Sequence, residues 1–232
     1  FNNESTEEAI MLFRKCLSFS PDDESLYDSL MEAYASLEEY DEMMNLIDLK
    51  QEMFGDEGVT VNKAYVYLSK GDIETAENIF LQVPDNEKET LNYYLLEGDL
   101  AVNKEDYKAA KSAYMKAALL SEGNEEILNN LANISVAQEK YDEAAEYLEE
   151  LLEVSPEFPT AKSRLAFIRF EIGSKEPFDE IMGQFSDDEL RALLKLIMGD
   201  DKENFENFSR EKILTSLDEA RENRILFKNI KY

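Results

Sequence analysis

Asp and Glu account for 52 of the 232 side chains, and their runs include Asp22-Asp23-Glu24 and Asp200-Asp201. Carboxylates at that density raise calcium binding first. An EF-hand loop needs alternating oxygen ligands around a central Gly, and neither run has them. Helix capping and a solvated face are the expected roles. Paired carboxylates for glycoside chemistry could be drawn from almost anywhere in such a background, so no pair singles itself out. With no His and one Cys, a zinc site of those ligands, a His-based triad and a Cys–His dyad are all excluded. Gly71-Asp72 and Gly98-Asp99 lack both the Gly-rich strand-to-helix turn and the Lys-Ser/Thr that a phosphate loop requires. Cys16 occupies a position where small residues pack, and the expectation for it is a buried structural thiol. These residues predict no enzyme, no cofactor and no metal site.

The 24 basic residues leave a formal charge of −28. That charge argues against direct nucleic-acid binding, because Lys and Arg supply the attraction to phosphate. Two basic islands stand out: Lys162, Arg164 and Arg169 near residues 160–172, and Arg221, Arg224, Lys228 and Lys231 in residues 221–232. An acidic body favours capture of a basic peptide or protein surface, with an on-rate that falls as salt rises. No apolar run exceeds five residues, against about 20 needed to cross a bilayer, so no membrane partner is expected. No leader is visible and Cys16 has no intrachain partner, which together point to a reducing, cytoplasmic setting. The chain opens at Phe1 and not at Met, which leaves a processed or truncated N-terminus open.

The elements that would position any binding residue are helices. Only 8 Gly and 5 Pro occur, which disfavours a turn-rich all-β fold, and 44% apolar residues supply a core. A period of 34 residues runs along the chain. Tyr141-Asp142-Glu143-Ala144-Ala145 is followed by Leu148, Leu151 and Pro156, and Tyr107-Lys108-Ala109-Ala110 stands one period earlier with Tyr114 and Ala117. Ile73-Glu74-Thr75-Ala76 with Phe80, and Tyr40-Asp41-Glu42-Met43 with Ile47, continue the series. Each is preceded by a companion segment of helical period, at 26–37, 59–68, 91–102 and 127–137. A small Ala at the centre of each second helix lets a neighbouring helix approach, and the residue four positions later fills the gap. Each hairpin exposes an apolar face, so stability comes from stacking on its neighbours.

This pattern resembles the tetratricopeptide repeat. Tyr27, Leu30 and Tyr34 carry it in one repeat, Tyr94, Gly98 and Ala101 in another, and Leu128, Leu131 and Ala132 in the best preserved. The resemblance covers roughly residues 1–173 and implies an all-α fold: a right-handed α-solenoid of stacked antiparallel hairpins. It implies a concave surface lined by first helices that touches peptides, holding Asn62, Tyr65, Asp99, Asn129, Asn130, Asn133, Arg164 and Phe167. Asp28 and Glu32 add acid to the same face. Three Asn within one and a half turns also stand out on their own, since Asn is a poor helix former and its amide both donates and accepts. Asn130 and Arg164 match two positions of a clamp for acidic chaperone tails, but Leu95 and Thr160 stand where basic residues are expected.

Ala9, Phe13 and Cys16 form half a repeat whose partner helix would precede Phe1. Either the chain belongs to a longer array or this face pairs with something else, such as a second copy. Pro84 cuts the third unit short before a loop at 85–89. After Pro177 the period is lost. Ser186-Asp187-Asp188-Glu189 reads as a capping box opening a helix with Leu190, Leu193, Leu194 and Ile197. Met198-Gly199-Asp200-Asp201 ends it, and a last helix carries Ile213, Leu217 and Ala220. Residues 174–232 are thus expected to cap the array of 1–173, with no separate second domain. The predicted function is a non-catalytic interaction module or scaffold that holds a partner peptide or protein surface in its groove. The alternative is a structural protein that self-assembles, as a homodimer for instance, through its N-terminal half-repeat.

Overall fold

The computed structural model describes residues 3–173, 178–198 and 205–222, and among these no strand occurs. Pro177, the 199–201 segment and the basic tail at 223–232 lie outside the described residues. The chain divides into two compact units, Phe1–Lys104 and Glu105–Tyr232.

The first unit comprises α1 (Asn3–Phe19), α2 (Glu24–Ser36), α3 (Tyr40–Phe54), α4 (Val59–Ser69), α5 (Ile73–Phe80) and α6 (Leu91–Asn103). Each helix packs on the next, and α4 also packs on α6, the pattern of stacked hairpins. Asp23, part of the acidic run, accepts the Ser25 N–H at 3.2 Å and so caps α2, the role expected of it. Tyr27, Leu30, Tyr34, Met43 and Ile47 fill one core together with Ile10. Ala64 and Ala76 are fully buried in the next core, between Val61, Leu96 and Leu100. No side chain beyond a methyl separates the backbones there, so the helices approach closely. Tyr40 Oη donates to the Ser69 carbonyl at 2.8 Å, tying the start of α3 to the end of α4.

The second unit comprises α7 (Tyr107–Leu120), α8 (Glu125–Ala137), α9 (Tyr141–Val154), α10 (Ala161–Gly173), α11 (Phe178–Met182), α12 (Asp187–Met198) and α13 (Arg210–Glu222), with a 3-10 turn at Phe205–Asn207. Ala144, Leu148 and Leu151 lie fully buried with Leu128, Ala132 and Leu165. The capping box forms as the sequence predicts: Ser186 N–H donates to Glu189 Oε2 at 2.9 Å, and Glu189 N–H donates to Ser186 Oγ at 3.3 Å. Leu190, Leu193, Leu194, Ile197, Ile213, Leu217 and Ala220 then share one core with Phe167, Phe178, Phe205 and Phe208.

The turns inside the hairpins repeat one backbone device. Glu39 N–H reaches back to Tyr34 O, Asp72 N–H to Tyr67 O and Lys140 N–H to Ser135 O, at 2.8 to 2.9 Å. That is the Schellman closure, which requires a left-handed residue just past the helix. Gly71 supplies it in one turn with φ +79, whereas Glu38 and Glu139 adopt φ of 57 and 58. Left-handed backbone costs an L-residue about 1 kcal/mol and glycine almost nothing. Glu38→Gly and Glu139→Gly should therefore each raise the unfolding free energy by roughly 1 kcal/mol, and Gly71→Ala should lower it by a similar amount. Chemical denaturation of the three variants checks the signs.

Candidate functional site

The sequence-predicted groove residues fall in both units, so each unit presents its own set. In the first, Asn62 and Asp99 are half-buried on α4 and α6, and Tyr65 is exposed on α4. Asp28, expected as groove acid, has its carboxylate engaged. Lys50 of α3 is buried and donates to Asp28 Oδ1 at 2.9 Å and lies 3.0 Å from Glu24 Oε1. Burial pushes the Lys50 ammonium down, but its hydrogen bonds to Asp28 and Glu24 outweigh that and hold it above the ordinary lysine value.

In the second unit Asn129 and Asn130 are half-buried on α8, while Asn133 is 6% exposed and Arg164 only 5%. Arg164 of α10 donates from one guanidinium nitrogen to Asn129 Oδ1 at 2.7 Å and from the other to Asn133 Oδ1. The planar fork thus joins two consecutive first helices through two Asn carbonyls one turn apart. Its consequence is a fixed orientation for Asn129: with Oδ1 taken, its amide nitrogen is the face left over. The side-chain amide of Asn130 makes no hydrogen bond to any described residue.

Phe167 was expected to line the groove and instead lies in the core, 1% exposed, edge-on to Phe178 with ring centroids 5.7 Å apart. The reason is local. α10 packs on α9 on one side and on α11 and α12 on the other, so few of its positions remain at the surface. Cys16 departs from expectation in the opposite sense, being exposed and not buried. α1 packs on α2 through Ile10, Phe13 and Leu17, and Cys16 belongs to its other face, which no described helix covers.

The basic island of residues 160–172 is largely neutralised from within. Lys162 lies 3.0 Å from Glu157, Arg169 lies 2.7 Å from Glu149, and Arg164 is buried. Two carboxylates outside the groove carry unequal environments that sequence patterns did not single out. Lys111 of α7 pairs with Glu143 of α9 and, with a Ser135 hydroxyl at 3.3 Å, draws the Glu143 pKa below its ordinary value. Glu87, in the loop after α5, is buried over the N-terminus of α4, where the Gly58 and Val61 N–H groups donate to it. Burial nevertheless pushes the Glu87 pKa up, helped by Glu57 and Asp56.

The two should titrate with opposite signs. The contribution of Glu143 is complete above its ordinary value of 4.5 and is lost as pH falls through its lowered folded-state value. Lys111→Met should therefore make the acid limb of stability shallower. The contribution of Glu87 is complete below the ordinary value and is lost as pH rises through its raised one, so Glu87→Gln should flatten the decline toward neutral pH. Urea midpoints across that range read both effects.

Among the described residues no group of three or more His, Cys, Asp and Glu is arranged to hold a metal ion. No described helix is long and apolar enough to cross a membrane.

Residues 95–161 and 129–176 match the family model described as tetratricopeptide repeat. No curated protein matches the sequence. Among solved structures, a tetratricopeptide repeat protein of Thermus thermophilus is similar at TM-score 0.56 and 18% identity, covering 71% of this chain and 91% of that one. The pilF protein of Pseudomonas aeruginosa is similar at 0.56 and 16% identity over 85% of both chains. The Cut9–Hcn1 hetero-tetramer of the APC/C offers a chain similar at 0.62 and 16% identity, with 94% of this chain and 40% of that one covered. At such identities these likenesses speak for the fold. Tetratricopeptide repeats in general form non-catalytic scaffolds whose partners are proteins or peptides. The 34-residue spacing of the small residues, the stacked hairpins built on it and the family match agree: this chain carries tetratricopeptide repeats over residues 95–176.

Proposed function

We propose that the chain holds an extended segment of a partner protein against the first helices of its second unit, with Asn129 and Asn130 of α8 as the contacts, and that Asn62, Tyr65 and Asp99 form a separate contact set of the same kind on the first unit. The observation that carries this reading is the Arg164 fork, which fixes the Asn129 amide beside an Asn130 amide that no described residue engages. Asn amides can read the backbone of a bound segment whatever its sequence, and a preset orientation reduces the ordering cost of binding. A formal charge of −28 favours a basic partner. A photo-crosslinking residue at position 130 should capture the partner from a lysate of the source cell, whereas the same residue at the exposed position 150 should not. Equal capture at both positions would count against the groove.

A second reading, self-assembly through the N-terminal half-repeat, is favoured by one feature of α1. Leu12, Cys16 and Phe19 recur at helical steps on one stripe, with Leu12 62% and Phe19 78% exposed. Light scattering should then show a mass that rises with concentration and falls back in Leu12→Glu/Phe19→Glu. A monomer at high micromolar concentration sinks this reading.

A further inference from the structure

Acidic residues appear on every described helix except α4 and α7, and α7 is the most basic of them all. Its sequence, YKAAKSAYMKAALL, holds three Lys and no carboxylate. One face is committed to the core through Ala110, Ala113, Tyr114 and Ala117, which fixes the orientation of the rest. Lys108, Ser112, Met115 and Leu119 follow at steps of four, three and four residues, and so form one stripe on the other side. With Gln138 and Lys140 from the turn between α8 and α9, that stripe lines a groove of about 440 Å³.

Two properties of the groove define its occupant. Met115 is 51% exposed and Leu119 87%, an apolar strip along a helix in a position to be covered. Lys108 and Lys140 flank the strip and make no ion pair with any described residue, whereas Lys111 is held by Glu143. No carboxylate lines the groove; Glu139, Asp142 and Glu143 line the neighbouring depression on the far side of Lys140.

We propose that this face docks an acidic amphipathic helix of a partner protein. Its aliphatic side chains would cover Met115 and Leu119, and carboxylates on its two flanks would meet Lys108 and Lys140. Charge complementarity selects the partner: a local patch free of acid on a chain of net charge −28 is the place where a few carboxylates are attracted and not repelled. A nucleic acid fits less well, because it brings dense phosphate charge toward an acidic body and has no aliphatic group for Leu119. The proposed surface uses none of the groove residues, so it stands or falls separately from the reading above.

The test is fluorescence anisotropy of the full chain with a labelled peptide that places Leu at i and i+4 and Glu on both flanks. Saturable binding is expected, weakened roughly tenfold or more in Lys108→Glu/Lys140→Glu and also weakened in Met115→Ala/Leu119→Ala. The same peptide with Lys in place of every Glu should bind the charge-reversed variant better than it binds the wild type. Lys108 and Lys140 are exposed and carry only surface charge, and circular dichroism melting verifies that each variant stays folded. Affinity unchanged in both variants, or equal for a scrambled peptide, would overturn the proposal. So would a concentration-dependent mass that disappears in the charge-reversed variant, which would assign the face to a second copy. A single-stranded oligonucleotide that binds the same face more tightly than the peptide would overturn it as well.

Discussion

Phe167→Ala is expected to lower the unfolding free energy by about 4 kcal/mol, the usual cost of deleting a buried aromatic ring. Phe167 touches the core that joins α10 to α11, α12 and α13, where Phe178, Leu193 and Ile213 are also buried. The cavity would open at the centre of that core, and few neighbours there can collapse into it. Phe167→Leu keeps most of the volume and should cost less than about 2 kcal/mol. The contrast with Tyr65→Ala is informative, because an exposed α4 side chain should change stability by less than about 1 kcal/mol. Urea unfolding followed by far-ultraviolet circular dichroism suits a chain without Trp. A Phe167→Ala variant as stable as the wild type would remove this ring from the core.

Arg164→Ala is the second large effect, at about 3 kcal/mol, because it takes one member out of a buried polar set and strands the other. The Asn133 carbonyl, buried on α8, would lose its guanidinium donor. Asn133→Ala alone should cost about 1 to 2 kcal/mol. A double-mutant cycle between the two should show coupling above about 0.5 kcal/mol, since they share a hydrogen bond. Arg164→Lys should recover only part of the loss: a single ammonium cannot span both Asn carbonyls as the planar fork does. Replacing Arg164 and Asn133 together by Met and Leu should be milder than Arg164→Ala, because the buried Asn133 carbonyl is then no longer left without a donor and only the half-buried Asn129 loses its partner. Additive single and double effects would dissolve the idea of a coupled pair.

The hairpins were legible because their interfaces demand small residues at a fixed spacing. Ala64, Ala76, Ala110 and Ala144 must all be small for two helices to meet, and each is fully buried. The capping box at Ser186 was equally legible, since both of its bonds are local. The candidate site was less so. Asn129, Asn130 and Asn133 stand out by type, yet helical spacing alone does not say that Asn133 turns inward to Arg164 while Asn130 stays near the surface. The position of Phe167 depends on helices after the period is lost, so the repeat pattern could not report that they cover α10. Glu87 reads as one more acid in a loop, and only the return of that loop over α4 gives it a helix terminus to cap. Cys16 follows the same logic in reverse: a packing position is buried only when something packs on it.

That exposed thiol makes the chain a ready-made spectroscopic reporter. The sequence holds one Cys, and Cys16 lies exposed between Leu12 and Phe19 on the open face of α1. A maleimide dye would therefore attach at one known place without any engineered substitution. Its emission would respond to whatever covers α1, and energy transfer between two labelled copies would read self-assembly in the unaltered protein.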